Sequence, residues 1–493
     1  MPDFRAEASS TGSRESVPGS DIDAPERSGK LNVRLLATVV AIALAVKFAV
    51  FGLSVGTSMS LSMPNAENWQ DFSLAYMPAA TAFKSGLLPY NDFFYPYPPL
   101  FLYAQTAFSY FPLPAWSGAI PLVAADALTV LPVYLIARKF WGERNAVLAS
   151  SLLVLAPTNL YYVDYLWLNP SLTTLFLMVS IYLLIEGRYD LSALTLAVSI
   201  GCKQTALFAL PVILAVMLKG QRGRSGAVRY LLLVAFVCVL VSLPYLVISP
   251  GAYLASIFRV PAALWDSGLP ANYFQIGVGT GTAVSFNTLD WLTSKWALLS
   301  AGVYSPATLA LPVFIFFVPS AYSWVYSVSS VLSIAGYLII TVGFLLLLRS
   351  VWKRKSVVQA DLLRHVLCAM LLVFTFYPLY KYYVVGIIPI LVLLARNRHD
   401  VVGFIVFSFV LMFVPRYFSS WVLFLALIWL LRRFLVTRKG GVRPLTVLRR
   451  EDWIQERLPA KEVYRTDPKW VQARDAVKEL SKSQEFSSGV RTV

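Results

Sequence analysis

The sequence predicts an all-α, multi-spanning membrane protein with about 12 transmembrane helices and two long, structured loops on its outer face. Hydrophobic residues make up 57% of the 493 residues and charged residues only 14%, a composition too apolar for one soluble core. Apolar runs close to the length needed to cross a bilayer recur along the chain, at 34–56, 118–137, 145–162, 169–185, 229–249, 329–348, 361–379, 383–396, 401–416 and 419–436.

One further apolar stretch, between 191 and 218, is interrupted by the sequence Gly-Cys-Lys-Gln at 201–204. A lysine in the middle of an apolar run is costly in a bilayer. We therefore interpret this stretch as two short helices that meet below the membrane surface.

The basic residues predict the orientation of the chain, because short loops rich in Lys and Arg stay in the cytoplasm. A path with both termini cytoplasmic places all of these loops on that side: 138–144, 219–229, 349–355, 396–398 and 432–439. It requires that the apolar segments 98–114 and 297–318 lie in, or dip into, the outer leaflet instead of crossing. The formal charge of +16 is explained by such loops, so no nucleic-acid partner is expected.

The predicted path divides the chain into five parts. They are a disordered cytoplasmic tail at 1–33, a transmembrane module at 34–249 that includes the outer loop 57–117, a second outer loop at 250–328, C-terminal transmembrane helices at 329–436, and a basic cytoplasmic tail at 437–493. Both outer loops are rich in Trp, Tyr, Phe and Pro, which favours structure at the membrane interface over disorder.

Metal chemistry is not expected. The three cysteines, Cys202, Cys238 and Cys368, lie in or beside apolar segments without CxxC spacing, so they are interpreted as packing residues. The two histidines, His365 and His399, lie beside basic stretches, so a His-ligated metal is not expected. No glycine-rich nucleotide loop is present either, so the sequence predicts no cofactor and no nucleotide-sugar donor.

Three carboxylates of the predicted outer face are candidates for acid–base chemistry. Asp71 follows the first span and would be held just outside the bilayer as a general base, or it would be a solvated loop residue or helix N-cap. Asp92 follows a Gly-x-x-Pro-Tyr turn and would assist on the acceptor side, or only cap the turn. Asp164 lies where the third helix emerges, where a carboxylate must be hydrated or paired, and it would likewise assist or act on the acceptor side.

Three cations of the same face are candidates for holding a phosphate. Lys203 interrupts the apolar stretch, and an intramembrane cation has a lipid phosphate as its natural partner. Lys381 and Arg259 lie near helix ends and could instead extend to the lipid headgroups. Lys47, inside the first span, has no evident partner in the sequence.

Aromatic and amide side chains lie beside these charges. Tyr95 and Tyr97 belong to the stretch Tyr-Pro-Tyr-Pro-Pro-Leu, where prolines fix the backbone and the rings offer faces for a sugar or lipid, or simply anchor the interface. Gln204 and Tyr382 directly follow Lys203 and Lys381, and we assign them to the same group of sugar or lipid contacts.

This combination suits a reaction in which a sugar leaves a lipid phosphate. The departing phosphate needs cations, and the attacking hydroxyl needs a base. Two alternatives stay open, a transporter or flippase of lipid-linked sugars and a non-catalytic glycolipid-binding subunit. A transporter would use charged residues along a path through the bilayer, whereas most of the unusual polar residues here lie near one face.

The segments 71–100 and 126–140, with the later stretches 157–171, 203–211 and 381–389, resemble the polyprenyl-phosphate-sugar-dependent glycosyltransferases of the GT-C fold. The resemblance is to glycosyltransferase family 87 and to the first mannosyltransferase of glycosylphosphatidylinositol synthesis. In these families an acidic first outer loop leads through a Gly-x-x-Pro-Tyr turn into a Tyr-Pro-Pro-Leu segment.

The resemblance implies a GT-C-like fold and inverting transfer of a monosaccharide, mannose, from a polyprenyl-phosphate carrier, with Asp71 as catalytic base. The acceptor would be a lipid-linked glycan or a protein at the extracytoplasmic face, and membrane lipids would be further partners. The mannosyltransferase relatives carry an Asp-x-Asp pair where this chain has Trp69-Gln70-Asp71, so transfer is predicted to be metal-independent. The expected location is the plasma membrane of a prokaryote and not the endoplasmic reticulum.

Overall fold

The computed structural model describes residues 31–56, 72, 76–93, 95, 97–219, 223–258, 329–353, 359–376, 381–395, 398–414 and 419–436. Within these ranges the chain forms helices and turns and no β-strand, apart from one isolated bridge between Pro89 and Phe93. The all-α prediction is confirmed for this part of the chain. Residues 1–30 and 437–493 of the predicted tails, residues 57–71 and 73–75 of the outer loop 57–117, and nearly all of the outer loop 250–328, including the segment 297–318, lie outside the described residues.

The N-terminal half contains twelve described α-helices and three short helices of other types. The α-helices are α1 (Val33–Gly56), α2 (Met77–Lys84), α3 (Pro99–Ser109), α4 (Ile120–Leu128), α5 (Val130–Trp141), α6 (Glu143–Val154), α7 (Pro157–Asn159), α8 (Ser171–Ile185), α9 (Tyr189–Cys202), α10 (Leu210–Lys219), α11 (Gly223–Ile248) and α12 (Pro250–Phe258). The others are 3₁₀ helices at Ala115–Ala119 and Gln204–Ala209 and a π-helix at Leu160–Tyr165.

The C-terminal half contains five described α-helices: α13 (Ser329–Lys353), α14 (Gln359–Phe376), α15 (Ile388–Leu394), α16 (Arg398–Phe413) and α17 (Ser419–Val436). A 3₁₀ helix at Lys381–Gly386 precedes α15. The two halves are in contact, because the hydroxyl of Tyr162 donates to the carbonyl of Leu411 over 3.3 Å.

Four helical stretches in the described part are long and apolar enough to cross a bilayer, namely Val33–Gly56, Ala115–Trp141, Glu143–Tyr165 and Gly223–Ile248. Five shorter apolar helices accompany them. The chain is therefore an integral membrane protein, and the number of about 12 spans stays a prediction.

Three of the basic loops meet at one end of the helix bundle. Lys139 pairs with Glu186 at 2.8 Å, and Arg229 pairs with Asp190 at 2.6 Å. Lys219 donates to two carbonyl groups at the C-terminal end of α13, over 2.8 and 2.7 Å. These contacts join the predicted cytoplasmic loops 138–144, 219–229 and 349–355. Helix α9 begins beside them at Tyr189, so its end at Cys202, against which α3 packs, lies about 20 Å away at the opposite end.

Helix α3 packs closely against the end of α9. A Cβ added at Gly201 would come within 2.5 Å of Leu100, so the small residue permits the contact. Helix α3 has 11 residues and is about 16 Å long, which is too short to cross a bilayer. This agrees with the prediction that the segment 98–114 does not span the membrane.

Candidate active site

The predicted interruption of the apolar stretch 191–218 is present in the structure at Lys203. Helix α9 ends at Cys202, Lys203 adopts an extended backbone with φ −160° and ψ 129°, and a 3₁₀ helix begins at Gln204. The side chain of Lys203 is fully buried. Because a buried ammonium group is costly in a membrane protein, its surroundings identify the candidate site.

Three tyrosine rings and one carbonyl group contact the Lys203 ammonium. Its Nζ atom donates to the carbonyl oxygen of Asn169 over 2.6 Å. It lies 4.9 Å from the ring centroid of Tyr97, 4.7 Å from that of Tyr382 and 3.6 Å from that of Tyr383. We call these three rings the tyrosine cage. Ring faces attract a cation, and the attraction is stronger where water is excluded, so the cage stabilises the buried charge.

The cage joins parts of the chain that are far apart in sequence. Tyr97 and Tyr382 are separated by 285 residues, yet their hydroxyl oxygens lie 3.4 Å apart. The structure thus brings Lys203, Tyr97 and Tyr382, three of the predicted site residues, together at one point. Tyr383, whose ring is the nearest of the three, was not predicted.

The turn between α2 and α3 fixes the position of Tyr97. Gly86 has φ +90° and Tyr90 has φ +69°, a conformation that costs a non-glycine residue free energy and needs support from its surroundings. The support is present, because the buried Tyr90 hydroxyl donates to the carbonyl of Tyr97 over 2.5 Å. Asp92 is exposed and accepts the backbone N–H of Leu88 over 2.7 Å, so it caps this turn.

Two further predicted contact residues lie next to the cage. The ring of Tyr95 is buried, with its centroid 5.6 Å from that of Tyr97. Burial raises the pKa of the Tyr95 hydroxyl well above its ordinary value of 10, so it remains a hydrogen-bond donor at neutral pH. Gln204 donates to the carbonyl of Ile257 over 3.2 Å, which ties the break after α9 to α12.

A path of aromatic rings leads from the cage towards the first outer loop. The Tyr97 ring lies 5.8 Å from that of Tyr76, and the Tyr76 ring 6.4 Å from that of Phe72. Phe72 directly follows Asp71 in the sequence, but Asp71 itself lies outside the described residues. Arg259 also lies outside them, and of Lys381 only the backbone is described, at the start of a 3₁₀ helix.

A second group of buried charges lies between α1, α4, α7 and the π-helix. The Lys47 ammonium donates to Asp126 over 2.5 Å and lies 3.0 Å from an Asp164 oxygen, an ion pair without hydrogen-bond geometry. The amide of Asn159 donates to the other oxygen of Asp126 over 2.6 Å. All four side chains are fully buried. We call Lys47, Asp126, Asp164 and Asn159 the ion cluster.

The ion cluster explains why Lys47 has no evident partner in the sequence, because the partners of Lys47 lie on other helices. It also places Asp164, which pairs with Lys47 and is sealed from solvent; its assisting role on the acceptor side stays a prediction. Asp126 and Asn159 were not predicted as site residues. The available signal was the presence of a single lysine and a single aspartate in two different apolar runs, since such residues pair inside membranes.

The segment 157–171 contributes to both groups. Asn159 and Asp164 belong to the ion cluster, and Asn169 binds Lys203 through its carbonyl. Between them Trp167 has φ +58°, which is unfavourable for a bulky residue, and its ring packs 5.7 Å from Phe51 and 5.2 Å from Phe72. One short segment therefore connects the ion cluster to the tyrosine cage.

In the described part of the chain, no group of three or more His, Cys, Asp or Glu side chains is arranged to hold a metal ion. Asp71 is not among those residues, so the prediction of metal-independent chemistry is not tested. The three cysteines are free thiols.

Comparison with known proteins finds a family match in the middle of the chain. Residues 129–262 match the family model of the ALG3 protein. A curated relative from Dictyostelium discoideum, named "Probable Dol-P-Man:Man(5)GlcNAc(2)-PP-Dol alpha-1,3-mannosyltransferase", is 30% identical over 91 residues. That match spans 18% of this chain and 20% of the relative, so the chain covers about a fifth of the relative's length.

Two solved structures are similar over more of the chain. The oligosaccharyltransferase of Archaeoglobus fulgidus is 14% identical with a TM-score of 0.39, and the match covers 78% of this chain and 55% of the oligosaccharyltransferase chain. ArnT from Cupriavidus metallidurans is 13% identical with a TM-score of 0.34, and the match covers 79% of this chain and 76% of the ArnT chain. Likenesses this distant add no argument about the reaction.

The matched range contains Asp164, Asn169 and Lys203, so it covers both the link to the ion cluster and the centre of the tyrosine cage. The matched family differs from the two that the motifs resemble, but the relative's name also describes a mannosyltransferase. The predicted resemblance to glycosyltransferases that use lipid-linked sugars is confirmed. Within this chain, residues 129–262 are similar to the ALG3 protein family.

Proposed function

We propose that this protein transfers a mannosyl residue from a polyprenyl- or dolichyl-phosphate carrier to the hydroxyl group of a lipid-linked or protein-linked acceptor. The observation that carries the proposal is the buried Lys203 in its tyrosine cage, within the range that matches a glycosyltransferase family. The relative's name supplies the donor class, since it describes a dolichol-phosphate mannose donor.

Lys203 would bind the phosphate of the donor. A buried ammonium group holds a phosphate more strongly than a solvated one, because the effective dielectric constant is low. Its contacts with the Asn169 carbonyl and the three rings of the tyrosine cage fix the position of the ammonium group. Lys381 and Arg259 remain proposed as further phosphate ligands.

Asp71 would act as the base. The acceptor oxygen attacks the anomeric carbon, the bond from that carbon to the phosphate oxygen breaks, and the polyprenyl phosphate departs with the bonding electrons. The proton of the acceptor hydroxyl passes to the Asp71 carboxylate. One such in-line displacement inverts the anomeric configuration. Support for Asp71 comes from Phe72, the next residue, which lies in the aromatic path to the cage.

The reaction would take place at the extracytoplasmic face without a metal ion. Three of the basic loops, 138–144, 219–229 and 349–355, lie at the end of the bundle opposite the cage, and the cytoplasm retains such loops. Both termini would then be cytoplasmic. The plasma membrane of a prokaryote remains the proposed location.

The direct test is transfer by the purified protein in lipid nanodiscs. It is incubated with polyprenyl-phosphate mannose or polyprenyl-phosphate glucose and a panel of lipid-linked glycans and peptides, in the presence of a chelator, and the products are identified by mass spectrometry. We expect a mannosylated product and free polyprenyl phosphate in equal amounts. Movement of the intact donor across the membrane without cleavage would support the transporter alternative instead.

Replacing Lys203 with methionine is expected to lower kcat/KM for the donor about 10²-fold, because a charged group that stabilises the leaving phosphate is lost. Methionine keeps the volume of the side chain but leaves the Asn169 carbonyl without this donor, so the melting temperature should fall by only a few degrees. Transfer kinetics and thermal unfolding measure the two effects separately.

Lys84→Met is the matched control for Lys203. Lys84 also donates to a carbonyl, that of Ser109 over 2.7 Å, and lies over a tyrosine ring, Tyr110 at 4.9 Å, but it is exposed. Its replacement should leave kcat/KM within about twofold of wild type, as for a solvated surface cation. Equal kcat/KM for the two variants would contradict the phosphate-binding role.

A further inference from the structure

Unsatisfied polar groups are concentrated in the segment that supplies a carbonyl to Lys203. Among the described residues, the indole N–H of Trp167, both carboxamide atoms of Asn169 and the hydroxyls of Ser171 and Thr173 are buried without a hydrogen-bond partner. Buried polar groups are nearly always paired, so each exception requires an explanation. Four such residues within seven positions point to a ligand that supplies the missing partners.

Asn169 is the best placed of the four. It is fully buried, and its backbone carbonyl oxygen is 2.6 Å from the Lys203 ammonium. Asn169 is therefore a direct neighbour of Lys203, the residue proposed to bind the phosphate. Its backbone N–H donates to the Tyr76 hydroxyl over 3.4 Å, which leaves the carboxamide as the part of the residue without a partner.

The carboxamide has the chemistry of a sugar-binding group. Its oxygen accepts and its nitrogen donates, so it can pair with two neighbouring hydroxyl groups of a hexose at once. We infer that Asn169 is a specificity-determining residue that binds hydroxyl groups of the transferred sugar, while Lys203 binds the phosphate to which that sugar is attached. The inference rests on the proposed function and assigns the sugar end of the donor.

The test separates the sugar from the phosphate by comparing two lipids. Binding of polyprenyl-phosphate mannose and of polyprenyl phosphate alone is measured for wild type and for Asn169→Leu, which has nearly the same shape but cannot form hydrogen bonds. We expect Kd for the mannosylated lipid to rise at least about tenfold and Kd for polyprenyl phosphate to change less than about twofold. Lys203→Met should weaken the binding of both lipids.

Gln105→Leu is the matched control. Gln105 is also buried with both carboxamide atoms unpartnered, but its amide oxygen lies beside Gly118, away from the segment that contacts Lys203. Replacing either amide with leucine should leave the melting temperature equal or higher, because an unsatisfied polar group is removed. Only the Asn169 variant should lose affinity for the mannosylated lipid. Should Asn169→Leu not fold, Asn169→Ala is expected to show the same split between the two lipids.

The outcomes distinguish the inference from the function on which it depends. If wild-type protein transfers mannose but Asn169→Leu binds both lipids like Gln105→Leu, Asn169 is not a sugar ligand and the proposed function stands. If Asn169→Leu lost affinity for both lipids equally, the inference would also be overturned, since the substitution would then have disturbed the cage as a whole. If wild-type protein neither binds nor uses the mannosylated lipid, both proposals are wrong.

Discussion

Replacing Asp71 with asparagine is expected to lower the rate of sugar transfer by about 10²–10⁴-fold, the range that a positioned general base contributes. Asparagine keeps the shape and the hydrogen-bonding capacity of the residue, but it cannot take the proton of the acceptor hydroxyl. Binding of the donor should change little, because the proposed phosphate and sugar ligands, Lys203 and Asn169, are unaltered. Single-turnover transfer from a radiolabelled donor, together with donor binding, measures this separation.

Asp92→Asn is the control for Asp71. Asp92 is the other aspartate of the first predicted outer loop, but it is exposed and caps its own turn through the N–H of Leu88. Asparagine can accept the same hydrogen bond, so transfer should stay within about twofold of wild type. An Asp71→Asn variant as active as the Asp92→Asn variant would exclude Asp71 as the base.

The second large effect is expected from Lys47→Met, which removes the cation of the ion cluster. The change leaves Asp126 and Asp164 buried without a counter-charge, and breaking a buried pair in this way costs about 3–5 kcal/mol of the free energy of unfolding. The expected result is a much lower melting temperature in detergent and a smaller yield of monodisperse protein.

Two further variants show whether the lower stability of Lys47→Met comes from the lost charge balance or from replacing any paired lysine with methionine. In the triple variant Lys47→Met, Asp126→Asn, Asp164→Asn, the cluster is neutral, and most of the lost stability should return, since a buried ion pair can be replaced at little cost when all its members are replaced. Lys139→Met breaks a half-exposed pair with Glu186 and should cost no more than about 1 kcal/mol. Equal melting temperatures of Lys47→Met and Lys139→Met would show that the cluster does not stabilise the fold.

The fold could be predicted from the sequence as far as hydropathy determines it. The run 169–185 became a helix at Ser171–Ile185, and the break at Lys203 appeared where a charge interrupts apolar residues. The π-helix Leu160–Tyr165 lies at the end of the apolar run 145–162. It could not be predicted, because its amino-acid composition does not differ from that of the rest of the run. It is held by contacts distant in sequence, such as Ser54 donating to the carbonyl of Tyr165 over 2.6 Å.

The candidate site was predictable in its residue types and less so in its pairings. Lys203, Tyr97 and Tyr382 are unusual residues in apolar or proline-rich surroundings, and the structure brings them together. The partners of Lys47 could not be derived, because they are 79 and 117 positions away in the chain and only packing decides which helices touch. Asn169 was missed because its unpaired carboxamide is visible only once burial is known.

The ion cluster also bears on how such chains can diverge. Its charges come from three separate helical segments. Loss of Lys47 alone leaves Asp126 and Asp164 without a counter-charge, whereas loss of one acid leaves Lys47 paired with the other. Descendants of a common ancestor are therefore expected to keep the lysine at position 47 wherever they keep the acids at 126 and 164, and to lose it only together with both acids. An alignment of homologues in which position 47 varies independently of 126 and 164 would contradict that expectation.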